Sequence, residues 1–555
     1  MFRVKEDGVY LLLILAAAAL MAWPLLSRGL IYGHDAITYF IKAVTVHQSW
    51  REGDFLSRWS PHINHGYGYP SLNFYSPLFS YIAAFFMFFF SLAAGFHAAI
   101  FLCLFLSGVT MYFFAREVWG NEGGLVASIA YLFAPYHILD IYVRGAVGEA
   151  ASFIFFPMIL LAFFRLSRTI SVRDVLIGIV GVAGLILAHP LATFIFLPAA
   201  FVYALVLALF EGRFAWRNLL AMGFVFAGAF LLSAYFLLPA MLEQKFVHVE
   251  KFLGFDYRQH FIYLDQIFYS PWGFGDSAGR QSGMSFMAGM VQLALSLLVI
   301  VLGWRIIPVV KRSGLQVLFF GVLLIVAAFF TTGASSFYWE HIPKLPYVQF
   351  PWRFLLLITL ALSFLSGGVV WLFTGISRRI ALVCVCALLI GFNMAYCRPS
   401  RFIPVDQARS SAAFVEQLTP RETTGFLPMW VRNEAIAPYA QKLQVIQGEA
   451  QVTDQGGRSL DRLFHVSAAQ PAALCFYSYY FPGWEVFVNG VATEIHPENP
   501  FGLIIFAVPA GDLSVRVRFG TTPVRQWGEG ISLVMLGFII FLLFFRKKID
   551  RSLRT

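Results

Sequence analysis

Asp35 follows Gly33 and His34 directly after the first long apolar run, and a second polar set, His137, Asp140, Arg144 and Glu149, follows the third. A carboxylate at the water–lipid boundary can reach a lipid head group or an acceptor hydroxyl and take the hydroxyl's proton. The same residue can instead be a solvated carboxylate capping a short helix, and the sequence leaves both readings open. Glu149 can orient an acceptor or pair with Arg144. His34, His65, His137 and His189 raise the question of a divalent cation (Mg or Mn) held with Asp35. A lone histidine at a membrane edge is more commonly a structural hydrogen-bonding group.

The elements that must position these residues are set by composition. Of 555 residues, 59% are hydrophobic and only 13% charged, and mean hydropathy is +0.72. Soluble domains carry about 25% charged residues, so this chain cannot cover a globular surface with polar groups. Apolar runs of spanning length recur, which makes it a polytopic membrane protein and excludes soluble, fibrous and disordered classes. The net charge of +10 comes from basic residues in short loops, not from a basic groove with interleaved aromatics, so nucleic acid is excluded as a partner. Five cysteines contain no metal-type Cys-x-x-Cys; Cys397 and Cys475 either pair outside the membrane or are buried unpaired.

Hydropathy places about twelve helices, from Val9–Leu26 through Phe96–Phe114 and Leu125–Tyr136 to Ile531–Phe545. Charge decides the status of a further run, Leu78–Phe90. If it crosses, the clusters Arg165/Arg168/Arg173, Arg213/Arg217, Arg305/Lys311/Arg312 and Arg378/Arg379 all fall outside. If it lies along the surface, they are all cytoplasmic together with Arg546-Lys547-Lys548, as the positive-inside rule favours. Both termini are then cytoplasmic, and the exterior loops are 27–95, 139–149, 243–285 and 331–353. The chain divides into a transmembrane part (1–396), an exterior β-rich part (397–526) and a last helix with a basic tail (527–555). Leu513, Val515, Val517 and Phe519 alternate with polar residues as a half-buried strand does, and Asn489-Gly490 is a hairpin signal. Pro509-Ala510-Gly511 marks another turn.

The order Gly33-His34-Asp35, Gly53-x-x-x-x-Arg58-Trp59, Gly66-Tyr67-Gly68-Tyr69-Pro70 and Phe74-Tyr75-x-Pro77-Leu78 resembles the first exterior loop of the GT-C membrane glycosyltransferases. It is most similar to the YfhO-like proteins, a set that includes bacterial membrane proteins labelled "6-pyruvoyl-tetrahydropterin synthase-related". That label implies a compact soluble zinc enzyme, which nothing in this chain supports. Tyr136–Glu149, Tyr347–Arg353 and Tyr480–Trp484 extend the resemblance over nearly the whole chain.

The resemblance implies a GT-C-like fold with interfacial helices in the first exterior loop, in a bacterial cytoplasmic membrane. It also implies a polyprenyl-phosphate-linked sugar as donor and an exterior glycan, lipid or protein as acceptor. Asp35 is then the base for the acceptor hydroxyl, with Glu149 as a second carboxylate. Arg144 and Arg353 match phosphate oxygens, as guanidinium does bidentately; for Arg353 the alternative is snorkelling beside Trp352. His34, Arg58, His65, Tyr69, Tyr75, His137, Asp140, His189 and Gln349 complete the expected donor or substrate contacts. Two other functions compete: a transporter or flippase of lipid-linked saccharide, and a non-catalytic scaffold for envelope glycan assembly. A transporter calls for inverted repeats and mid-membrane ionisable residues, and the sequence displays neither.

Overall fold

The structure is a computed structural model, and it describes residues 4–27, 29–210, 215–248, 256–280, 283–308, 310, 313–405, 425–435 and 437–552. Among these, eight helices are long and apolar enough to cross a membrane, or nine if the bent pair Trp216–Leu232 and Ala234–Leu242, turning by 70°, forms one span. The protein is a multi-pass helical membrane protein with a β-rich region.

Three differences separate this count from the twelve expected. Phe96–Phe114 and Leu125–Tyr136 belong to one 41-residue helical element, Leu92–Leu132, which doubles back at Gly120 (φ 70°). The Ser128 hydroxyl donates to the Gly108 carbonyl at 2.8 Å; in an unbroken helix these groups would lie about 30 Å apart. The other two are shorter: Met290–Val301 has 12 residues, and Val172–Ala188 has 17 yet runs from Asp550 at one end to His189, beside Tyr75, at the other. Leu78–Phe86 is a nine-residue helix, far too short to cross a hydrocarbon core of about 30 Å.

Ion pairs gather the basic clusters at the end marked by the Gly120 turn. Arg116 bonds Asp7, Arg165 bonds Glu117 at 2.6 Å, Arg378 bonds Glu122, and the Val172 amide donates to Asp550 at 2.9 Å. Arg213, Lys311 and Arg312 lie outside the described residues. The helices Val4–Ala22, Val147–Leu166 and Pro351–Leu372 each have one end at this cluster. Their opposite ends carry Asp35, Glu149 and Arg353, so the candidate residues collect at the far end of the bundle.

That far end also holds the strands. β1 (Leu30–Ile31) pairs with β2 (Phe402–Ile403), tying the first loop to the segment that follows the helix Gly375–Asn393. The remaining strands are β3 (Leu443–Gln447), β4 (Ala450–Arg458), β5 (Asp461–Ala468), β6 (Ala472–Tyr479), β7 (Trp484–Val488), β8 (Val491–Thr493), β9 (Leu503–Val508) and β10 (Gly511–Phe519). They form two antiparallel sheets, ordered β4-β5-β10-β7-β8 and β3-β6-β9. The sheets pack through Phe476 of β6, whose ring lies 6.2 Å from Phe464 and 5.6 Å from Trp484. Leu513, Val515 and Val517 point inward from β10 as their alternation implies. Asn489 and Gly490 take the positive φ values (49° and 81°) that a two-residue hairpin turn between β7 and β8 requires. The turn at Pro509-Ala510 joins β9 to β10 across sheets rather than making a hairpin. Cys397 and Cys475 are buried free thiols, unpaired with each other.

Candidate active site

The first two loops at this end are fused through their backbones. The amides of His34 and Asp35 donate to the carbonyls of Val143 (3.3 Å) and Arg144 (2.7 Å). Glycines permit the approach: a Cβ on Gly33 would lie 2.8 Å from the Gly145 nitrogen, and Gly145 itself, at φ +63°, abuts Ala36. Gly33→Ala is therefore expected to lower thermal stability by about 1–3 kcal/mol through overpacking against backbone that cannot yield. A thermal unfolding midpoint equal to wild type would show that the loops do not need this contact.

Asp35 stands at the N-cap position of the helix Ala36–Arg51, yet its side chain makes no capping bond. Half-buried, the carboxylate has no hydrogen bond or ion pair with the described residues. The capping role open to it in sequence is thus not taken. Tyr39, one turn along the same helix, shares a 3.0 Å hydroxyl–hydroxyl bond with Tyr75. Burial and then the Asp35 charge push the Tyr75 phenol up to about 12. Burial and Tyr75 hold Tyr39 well above the usual tyrosine range. Both hydroxyls therefore keep their protons at neutral pH. Lys42 lies over the Tyr75 ring, 3.9 Å from its centre.

The second loop supplies a buried, balanced charge cluster. Glu149 in the first turn of Val147–Ser152 accepts from the Tyr136 hydroxyl at 2.5 Å and pairs with Arg144 at 3.0 Å. Arg144 also bonds Asp140, one helical turn earlier, donates to Tyr136 at 3.3 Å, and lies 4.7 Å over the Trp352 ring. Both ends of this guanidinium are engaged within the cluster. Asp140 is likewise committed to Arg144.

Arg353 completes the cluster with its Nε 3.6 Å from Glu149. Its Nη1 donates to the Val348 carbonyl (2.8 Å) and to Gln349 Oε1 (3.3 Å), while Nη2 has no partner among the described residues. Gln349 itself is strained, at φ 67° and ψ −45°, and the Phe350 amide closes a tight turn onto Val348 at 2.8 Å. Buried, Arg353 thus clamps both acceptors of that turn while its guanidinium lies 4.9 Å over the Phe350 ring. Asp35 joins the same cluster through its backbone, its amide bonded to the carbonyl of Arg144, which shares Glu149 with Arg353. Buried His189 presents its ring edge-on to Tyr75 at 6.3 Å, and its Nδ1 accepts from the Ala192 amide at 3.1 Å, capping the next helix.

Several expected contacts lie elsewhere. Arg58 is buried against the last helix, donating to the Tyr235 carbonyl (2.6 Å) and Glu529 (3.3 Å). Tyr69 is buried, and its hydroxyl accepts from the Phe426 amide at 3.3 Å. His65 occupies a left-handed turn at φ 56°. His137 is buried on the Phe153 ring at 4.1 Å with Nδ1 against the Tyr131 carbonyl; burial pushes it down to about 4, so it is neutral. His34 is exposed, with Nε2 3.3 Å from the Phe274 carbonyl. Among the described residues no group of three or more His, Cys, Asp or Glu side chains converges. Sequence reasoning missed Tyr39, Lys42 and Tyr136. Asp35, Tyr39 and Lys42 fall at i, i+4 and i+7, one face of a helix, and that spacing was the available signal.

Beneath Arg353 an apolar cavity of about 1160 Å³ opens between the helices Pro190–Phe210 and Ser313–Thr331. Ile342, Leu345 and Phe354, from the loop and helix that carry Arg353, line it.

No family model matches the chain. An uncharacterized protein of Lactococcus lactis subsp. cremoris is 24% identical over 252 residues, 43% of this chain and 41% of that protein. Among solved structures, arabinofuranosyltransferase AftD from Mycobacteria superposes on 72% of this chain and 27% of its own, with a TM-score of 0.48 and 13% identity. ArnT from Cupriavidus metallidurans bound to undecaprenyl phosphate covers 70% of this chain and 65% of its own, at TM-score 0.39 and 14% identity. Its apo state gives 69% and 65%, TM-score 0.38 and 15% identity. The chain spans less than two thirds of the length of each of these proteins.

Proposed function

We propose that this protein is a membrane glycosyltransferase of GT-C type, which moves a sugar from a polyprenyl-phosphate donor to a glycan, lipid or protein acceptor outside the bacterial cytoplasmic membrane. The observation that carries this reading is an uncommitted carboxylate, Asp35, whose backbone amide bonds the Arg144 carbonyl beside the ion pairs of Glu149 with Arg144 and Arg353. The gathering of basic clusters at the opposite end supports cytoplasmic termini and an exterior site. Outside the membrane no nucleotide sugar is present, which is why the donor is lipid-carried.

In the reaction the acceptor oxygen bonds to the anomeric carbon as Asp35 takes its proton. The carbon–oxygen bond to phosphate breaks, and the phosphate leaves with the bonding pair. Phosphate is a good leaving group, so it needs charge neutralisation more than an acid. Nη2 of Arg353 supplies that charge, and the neutral Tyr39 and Tyr75 hydroxyls supply donors that stay protonated. Glu149 serves as counter-charge for Arg353 rather than as a second base. The cavity below Arg353 takes part of the isoprenoid chain.

Single-turnover assay of the purified protein with polyprenyl-phosphate sugars tests the reading. Because a preorganised cation acts most on charge that develops in the transition state, Arg353→Gln should lower kcat/KM by about two orders of magnitude, with donor affinity falling much less. Arg353→Lys should restore only part, since an ammonium cannot hold the Val348 and Gln349 acceptors in a fork. Equal losses in binding and turnover would reduce Arg353 to a docking residue. No glycosylated product from wild type would favour a flippase.

A further inference from the structure

Two motifs singled out in the sequence have no part in this chemistry: Gly66-Tyr67-Gly68-Tyr69-Pro70 of the first loop and Tyr480–Trp484 of the β-rich region. In the structure they dock on each other. Trp59 packs among Phe481 (6.1 Å), Trp484 (5.9 Å) and Phe519 (5.5 Å). The Tyr67 carbonyl accepts from the Tyr479 amide at 2.8 Å and the Ser478 hydroxyl at 3.0 Å, and the Gly66 carbonyl accepts from Lys442 Nζ at 2.8 Å. The docked tip has a left-handed backbone: Asn64 and His65 have φ values of 54° and 56°, with Gly66 and Gly68 also positive. Glycine favours positive φ and Asn and His tolerate it, so these four residues shape a tight tip that the β-rich region covers.

The docked segment ends one residue before Tyr75. Phe74 stacks on Phe426 at 5.2 Å and meets Phe481 edge-on at 5.9 Å. Asn73 Nδ2 donates to Glu243 at 2.8 Å. Glu243 is in turn gripped by Arg525 through Nε (3.1 Å) and Nη2 (3.0 Å), and both partners of this pair are buried. Nη2 also donates to the Pro482 carbonyl at 2.9 Å, at the base of the β-rich region. On the other side of Tyr75, the Ser76 hydroxyl donates to the Ile186 carbonyl at 2.8 Å. Hydrogen bonds thus lead from the β-rich region through Arg525 and Glu243 to Asn73, two residues before Tyr75, whose hydroxyl bonds Tyr39.

We propose that the β-rich region is a positioning element for the active site, and that Asn73, held by the buried Glu243–Arg525 pair, is the positioning residue that sets Tyr75 beside Asp35. This inference rests on the glycosyltransferase reading for its catalytic consequence but not for its mechanical one. The loop carries its own cross-links from Ser60 to Tyr69 and Ser71, and the β-rich region supplies a second surface that holds it.

The test uses the full-length protein in lipid nanodiscs, with Asn73→Ala, Tyr75→Phe and the double variant. Amide exchange is read over residues 71–76 and the first turns of Ala36–Arg51, and turnover is read with a polyprenyl-phosphate sugar. Loss of one hydrogen bond should raise exchange over both segments about tenfold in Asn73→Ala. kcat should fall by about the same factor with KM little changed, and Asn73→Ala should add nothing in the Tyr75→Phe background. Unchanged exchange, exchange confined to residues 71–74, or additive losses in kcat would each overturn the proposal. If wild type makes no product, the glycosyltransferase reading fails, and spread of exchange to Ala36–Arg51 still decides whether Asn73 positions Tyr75. Should Asn73→Ala not fold, Phe74→Leu, which loosens the stack on Phe426, takes its place with the same expectations.

Discussion

Asp35→Asn is expected to lower the rate of sugar transfer by about three orders of magnitude, within the range a positioned general base contributes. The amide keeps the shape of the carboxylate and cannot accept the acceptor's proton at neutral pH. The structure adds a second half to the expectation. Because the Asp35 side chain makes no capping bond and no hydrogen bond to described residues, its replacement removes no intramolecular contact. The unfolding midpoint should therefore stay at the wild-type value, as should affinity for the lipid-phosphate donor. Loss of activity with unchanged stability is the signature of a chemical role. Retained turnover with a verified donor would show that Asp35 is not the base. A lowered midpoint would show that the carboxylate serves the helix it precedes.

How far the site could be read from sequence depended on how local its causes were. Asp35 was legible because its position at the end of an apolar run is a property of adjacent residues. The short helix at Leu78 was legible because charge placement restricts the number of crossings. The engagement of Arg144 was less so: Asp140 and Glu149 flank it in sequence, yet only folding shows that both claim the same guanidinium. The partners of Arg58 and Tyr69 were not legible for a longer-range reason. Glu529 and Phe426 lie hundreds of residues away, and no periodicity within the first loop announces them. The Gly66–Pro70 run docks on the β-rich region through the Tyr67 carbonyl. The missed Tyr39 and Lys42 are different again. Their helical spacing from Asp35 was present, but an interfacial helix with mixed character gives a weak amphipathic signal beside the long apolar spans.

The largest stability effect is expected at Glu149. It is fully buried, and it is the charge partner of both Arg144 and Arg353. With Asp140, these residues form a cluster of two carboxylates and two guanidiniums, neutral as a whole. Glu149→Gln preserves shape and leaves one positive charge buried without compensation, a change that costs about 3–5 kcal/mol when a buried pair is broken. The expected result is a lowered unfolding midpoint in detergent, in contrast to the isosteric Asp35→Asn. The cause can be separated from a loss of packing by restoring neutrality. Adding Arg144→Gln to Glu149→Gln removes the excess charge at the cost of the Arg144–Asp140 bond, so the double variant should recover part of the lost stability. If the double variant is less stable than Glu149→Gln alone, hydrogen bonding to Tyr136 and packing on Trp352 matter more than charge balance. If Glu149→Gln is as stable as wild type, the cluster is not held by its charges, and Glu149 returns as a candidate for direct contact with substrate.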